Sequence, residues 1–220
     1  MCLICDGNID INIKELDLND CNLYNEIPDN LVNLEKIYCC GNNKLTFIPD
    51  TLVNLKLLWI WNNKKIKEIP NTLINLEILN INYTQIKEIP NTLIKLYNIN
   101  LEGTPIKSIP KELVNLKYIN CFRSKLIEFP STLINLKEIY ADTTTKLHIP
   151  IELNNLKKLR CKGSKLILKK AKIHKNAYIK IMRCYRRNTL FKVLWKIAEY
   201  YTVKKYHPNN ILKYINLNEK

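Results

Sequence analysis

The stretch Ile27–Cys39, IPDNLVNLEKIYC, decides how this chain is read, because close variants of it return six more times. They are IPDTLVNLKLLWI from Ile48, IPNTLINLEILNI from Ile69, IPNTLIKLYNINL from Ile89, IPKELVNLKYINC from Ile109, FPSTLINLKEIYA from Phe129 and IPIELNNLKKLRC from Ile149. The prolines stand at 28, 49, 70, 90, 110, 130 and 150, so the unit is 21 residues long twice and 20 thereafter. A period this short and strict predicts a solenoid, in which each unit buries its apolar face only against its neighbours.

Inside each unit the apolar positions follow L-x-x-L-x-L-x-x-N-x-L, with the I-P pair about three residues further on. The first copy is Ile13, Leu16, Leu18, Cys21 and Leu23, and later copies begin at Leu34, Leu55, Leu76, Leu96, Leu116, Leu136 and Leu156. The position written N reads Cys21, Asn42, Asn63, Thr84, Thr104, Ser124, Thr144 and Ser164. Each of those side chains can hydrogen-bond a nearby backbone group, as an inward-turning loop shut off from water requires. The register therefore holds through eight copies.

Over roughly residues 13–166 this pattern resembles the leucine-rich-repeat family, and the short unit with its I-P looks most like the 20-residue class of secreted bacterial effectors. The resemblance implies an α/β solenoid with a curved parallel sheet of about eight strands on its concave face. Its convex side would be extended chain and short helical turns. An N-terminal cap is expected over 1–12, the solenoid over 13–168 and a basic helical C-terminal cap over 169–220. The texture of the chain, with its Ile, Asn and Lys bias and a Tyr- and Lys-rich tail, is also similar to repeat proteins of amoeba-infecting large DNA viruses. That likeness implies a viral protein made in the host cytoplasm.

Two-residue alternation predicts which strand residues face the partner. The outward trios are Glu15, Asp17, Asn19; Lys36, Tyr38, Cys40; Leu57, Trp59, Trp61; Ile78, Asn80, Asn82; Asn98, Asn100, Glu102; Tyr118, Asn120, Phe122; Glu138, Tyr140, Asp142; and Lys158, Arg160, Lys162. Tyr38, Leu57, Trp59, Trp61 and Ile78 form one apolar patch, with Tyr38, Trp59 and Trp61 its aromatic members; Tyr118, Phe122 and Tyr140 form another beyond an asparagine-rich middle. Trp and Tyr bury much area at little entropic cost, so this is the composition of a protein-binding hot spot. The asparagines are expected to bond a ligand's backbone, and the Asn of each N-L pair to bond locally.

The net charge of +15 is segregated. Residues 1–156 hold 16 Lys and Arg against 18 Asp and Glu, a balance of −2, whereas residues 157–220 hold 19 against 2, a balance of +17. From Lys169 to Tyr206 apolar residues recur every three or four positions, which predicts amphipathic helices. Their opposite face carries Lys180, Arg183, Arg186 and Arg187. A run of like charge is more often a solvated face than a site, but this one would also attract nucleic acid or an anionic surface.

Several classes of function are not expected. No phosphate loop, dinucleotide fingerprint, H-E-x-x-H or Ser-His-Asp order is present, so no catalytic residue and no cofactor are assigned. Cys2 and Cys5 form a C-x-x-C without a second ligand pair at matching spacing, so no metal site is assigned either. Cys39, Cys121 and Cys161 occupy inward strand positions and read as core residues. With no signal-like N-terminus, this points to a reducing, cytoplasmic setting rather than secretion. No apolar run is long enough to span a membrane. The expectation is a monomeric, non-catalytic protein-interaction module, with an adaptor role in a ubiquitin-ligase or signalling complex as its close variant.

Overall fold

The structure is a computed structural model that describes residues 10–19, 25–42, 44–142, 147–150, 152–162 and 167–168. Cys2, Cys5 and most of the expected N-terminal cap lie outside the described residues, as do the C-terminal cap and Lys180, Arg183, Arg186 and Arg187.

Eight parallel strands form one sheet. They are β1 (Glu15–Asp17), β2 (Lys36–Tyr38), β3 (Leu57–Trp59), β4 (Ile78–Asn80), β5 (Asn98–Asn100), β6 (Tyr118–Asn120), β7 (Glu138–Asp142) and β9 (Lys158–Lys162), joined in chain order. The register never slips: Glu15 faces Lys36, Tyr38 faces Trp59, Trp59 faces Asn80, and Asn120 faces Tyr140. Most strands are three residues long, because a unit of about twenty residues must also turn twice and return. Each therefore sends one central residue inward: Leu16, Ile37, Leu58, Leu79, Ile99, Ile119, Ile139 and Leu159, none more than 3% exposed. Burying such a side chain is worth roughly 1.5–3 kcal/mol, and here the gain is shared between neighbouring coils.

A second, small parallel sheet was not anticipated. β8 (His148–Ile149) pairs with β10 (Ile167–Leu168), and Glu128 bridges to His148 in the same sense. The back of the late coils thus carries its own backbone ladder. Elsewhere the back consists of extended chain and turns, with no helix among the described residues. Proline opens each segment and blocks helical hydrogen bonding there.

Past each of β2 to β6 the chain turns through one left-handed residue, at Gly41, Asn62, Tyr83, Gly103 and Arg123, with φ between 53° and 74°. The polar side chain that follows is buried and bonds the turn, as its register predicted. Asn42 Oδ1 accepts from the N–H of Lys44 and Leu45 at 2.9 and 3.1 Å, and Thr84 Oγ1 donates to Ile81 O at 2.7 Å. Thr104 and Ser124 repeat this bond to Leu101 O and Cys121 O.

Side chains on the back stitch successive coils together. Thr51, Thr72, Thr92 and Thr132 each donate to a backbone carbonyl of the preceding coil at 2.6 Å. Asn54, Asn75, Asn115, Asn135 and Asn155 do the same to Val32, Val53, Ile94, Val114 and Ile134. The asparagine of the N-L pair therefore bonds across coils and not within its own turn. The reason is geometric: its neighbour in space is the same position one repeat earlier.

Candidate functional site

The concave face is built from residues on either side of each inward strand centre. Trp59 and Trp61 are 39% and 43% exposed. Tyr38 meets Trp59 edge-on, ring centroids 5.4 Å apart and planes at 81°, which braces the first cluster. Leu57 and Ile78 sit half-buried beside it in the next columns of the sheet.

The second cluster is more tied down. Tyr118, Phe122 and Tyr140 are half-buried. The Tyr140 hydroxyl donates to Glu138 Oε2 at 2.8 Å and accepts from Lys158 Nζ at 2.8 Å, while Lys158 also pairs with Glu138 at 3.1 Å. Arg123 lies over the Phe122 ring at 5.4 Å. All six predicted aromatics thus reach the concave face or its rim, Trp59 and Trp61 the most openly.

One predicted outward residue is buried. Cys40 is 8% exposed, with its N–H held by Asn19 Oδ1 at 3.0 Å. Trp61 holds the equivalent position one coil on, two residues past the end of its strand, and is 43% exposed, so the small Cys40 side chain is covered where a large indole reaches out. Trp61, Asn82, Glu102 and Phe122 also stand beyond their strands, on a rim where the chain exits the sheet.

The asparagine middle holds the sheet's own backbone. Asn80 Oδ1 accepts from Asn82 N–H at 3.3 Å, Asn82 Oδ1 from Glu102 N–H at 3.1 Å, and Asn120 Oδ1 from Phe122 N–H at 3.1 Å. Asn100 Oδ1 makes a longer contact, 3.4 Å, to Glu102 N–H. The Glu102 carboxylate receives the Tyr83 hydroxyl at 2.5 Å and Asn120 Nδ2 at 3.3 Å. That hydrogen bond, helped by burial, raises the Tyr83 pKa above its ordinary value.

At the strand entries the electrostatics are laddered. Glu35 sits between Lys56 at 2.7 Å and Lys14 at 3.0 Å, and those two partners lower its pKa to about 2. Glu15 pairs with Lys36 at 3.0 Å and raises the lysine's pKa.

A further exposed surface escaped the reading of the strands. Val32, Val53, Ile74, Ile94, Val114 and Ile134 recur once per coil along the back, each 41–51% exposed. In the next coil Asn154 takes the position and ends the stripe. The signal was present as the V or I before each N-L, but β-branched residues also suit extended backbone, which hides the pattern.

Comparison with known proteins supports the fold. The family description Leucine Rich Repeat matches residues 12–34. None of the curated proteins matches. Among solved structures, the functional domain of InlJ from Listeria monocytogenes is similar at 24% identity over 65% of this chain and 33% of that one, with a TM-score of 0.58. The plant peptide hormone receptor RGFR1, in complex with RGF2, is similar at 22% identity over 72% of this chain and 29% of its own, TM-score 0.58. The effector YopM from Yersinia pestis is similar at 23% identity over 72% and 52%, TM-score 0.56. The chain spans about a third of the length of the first two, and the likeness to all three is one of fold.

Proposed function

We propose that this leucine-rich-repeat solenoid is a non-catalytic protein-interaction module whose partner seats on the concave face. One observation carries the reading: Trp59 and Trp61 stand 39% and 43% exposed on a rigid sheet, with Tyr38 braced against Trp59. Rings held in one orientation lose little entropy on binding, so their burial goes into affinity. The leucine-rich-repeat fold is typical of such modules, and one structure of similar fold is a peptide hormone receptor in complex with RGF2. The test is affinity capture by the full chain with partners identified by mass spectrometry. Trp59→Ala with Trp61→Ala is expected to lose the dominant partner, and unchanged capture would remove the concave face from the proposal.

A second reading rests on the charge segregation, −2 over residues 1–156 against +17 over 157–220. Residues 157–220 would bind a polyanion such as nucleic acid, with retention falling steeply as salt rises. Arg183→Glu with Arg186→Glu is expected to elute from immobilised DNA at lower salt than the parent. A parent chain that is not retained at about 0.15 M salt, where phosphate contacts still hold non-specific binders, would end this reading.

A further inference from the structure

We propose that the back of the solenoid is a self-association surface, on which a second copy of this chain packs with its coils running the opposite way. The surface is independent of the concave face. It is the stripe from Val32 to Ile134, which Ile11, 55% exposed, extends by one coil at the same position of the repeat. Seven β-branched side chains in single file, each 41–55% exposed, make a contiguous apolar strip of the kind that marks an interface. With the columns three residues before and one after it, the strip offers roughly 20 residues, which is what a standard interface uses on each side. The strip argues against the monomer expected above.

The back is straight enough to lie along a copy of itself. In the late coils it carries a parallel ladder through Glu128, β8 and β10, so the coils are as close there as on the main sheet, about 4.8 Å. In the earlier coils Thr51, Thr72 and Thr92 hold the preceding coil's carbonyls at 2.6 Å, which keeps the spacing short.

Charge decides the occupant and its direction. Ile74 is the middle of the seven, and the coils on its two sides carry opposite charge. The back segments 10–14, 25–35 and 46–56 hold five acidic residues against two basic, a balance of −3. Segments 87–97, 107–117 and 127–137 hold six basic against three acidic, a balance of +3. A copy laid parallel would set like charge on like, and an anionic membrane would be repelled by the first half. A two-fold axis through Ile74 instead lays the acidic half of each copy on the basic half of the other, in the self-complementary way of an isologous contact.

The same axis matches the apolar side chains. Ile11 meets the partner subunit's Ile134, Val32 its Val114, Val53 its Ile94, and the two Ile74 side chains meet each other. It also sets the second coil on the sixth. Lys111 stands in the sixth coil where Asp29 stands in the second, and Lys107 stands beside the position equivalent to Glu26. All four are exposed, and none joins an ion pair among the described residues. Asp29 with the partner's Lys111, and Glu26 with the partner's Lys107, each form twice. Because strip and sheet lie on opposite sides of every coil, the pair leaves both concave faces open, and a ligand with two docking segments would be held by both.

The experiment is sedimentation equilibrium of the full chain up to about 100 μM, by which concentration standard-size interfaces have assembled. A dimer is expected for the parent. A monomer is expected for Ile74→Asp, which sets two carboxylates together on the axis, with an unchanged circular dichroism spectrum because the position is half open to water. Asp29→Lys and Lys111→Asp are each expected to weaken the dimer about tenfold, since each turns two attractive contacts into repulsive ones. An equimolar mixture of the two variants is expected to recover the parent's affinity, because both contacts of the mixed dimer again join opposite charges. A parent that stays monomeric overturns the proposal, and so does a dimer indifferent to Ile74→Asp. A mixture no tighter than the single variants also overturns it, because the copies would then pair in another direction. If a monomeric parent binds vesicles of mixed neutral and anionic phospholipid and Ile74→Asp abolishes that binding, the strip serves a membrane and not a second copy.

Discussion

Gly103 shows how a single position can be decided by its neighbour one coil away. Its φ is +67°, and a Cβ added there would lie 2.6 Å from Tyr83 Cδ1 and 2.7 Å from Cε1. Gly103→Ala therefore combines backbone strain with displacement of the Tyr83 ring from its bond to Glu102. A loss of about 1–2 kcal/mol is expected, as for an L residue forced into the left-handed region. Denaturant unfolding of the variant measures it, and a variant as stable as the parent would show that the ring yields freely. At this scale the sequence was legible where one residue does one job. Asn42, Thr84, Thr104 and Ser124 follow from the need of a buried turn for a hydrogen-bonding side chain. That the asparagines of the face also bond the chain's own backbone was not legible, because an amide has two ends. Which end meets the backbone depends on the turn beyond the strand, not on the strand pattern.

At the scale of elements, the strand centres were readable in all eight copies because alternation and repeat length constrain the same residues. What alternation could not supply was where each strand stops, or that a side chain as small as Cys40 would be covered at the sheet's exit. Nor could it supply pairing between segments with no alternation of their own, as in β8 with β10. The entry ladder of Lys14, Glu35 and Lys56 links the first three strands and gives a pH test. Glu35 has its pKa lowered from 4.5 to about 2 in the folded chain. Its contribution is present above the unfolded value and is lost as pH falls through the folded one. Glu35→Gln should thus melt below the parent at neutral pH, with the gap closing below about pH 4.5 and gone near pH 2. Because all three side chains reach water, the gap should also shrink in high salt. A gap constant from pH 7 to pH 2 would mean that the ion pairs contribute nothing and the substitution acts by packing alone.

At the scale of the whole molecule, the chain is a one-dimensional stack, and position along it matters as much as burial. Leu16 and Ile99 are both 0% exposed strand centres, yet Leu16 is on terminal strand β1 and Ile99 on central β5. Truncating either to Ala leaves a cavity that costs about 2–5 kcal/mol. In a globule the two losses would lower one shared transition. In a stack each coil touches only its neighbours, so the end coil can open alone while the middle one joins two halves. Leu16→Ala is expected to strip hydrogen-exchange protection from Glu15–Leu18 and leave the main melting transition nearly in place. Ile99→Ala should lower or split that transition and reduce protection in strands on both sides of β5. Hydrogen exchange read by mass spectrometry alongside calorimetry separates the two patterns. Equal shifts of a single transition would mean that the coils are coupled far beyond nearest neighbours. The Thr and Asn bonds along the back, each reaching only one coil, could not then account for how the stack holds together.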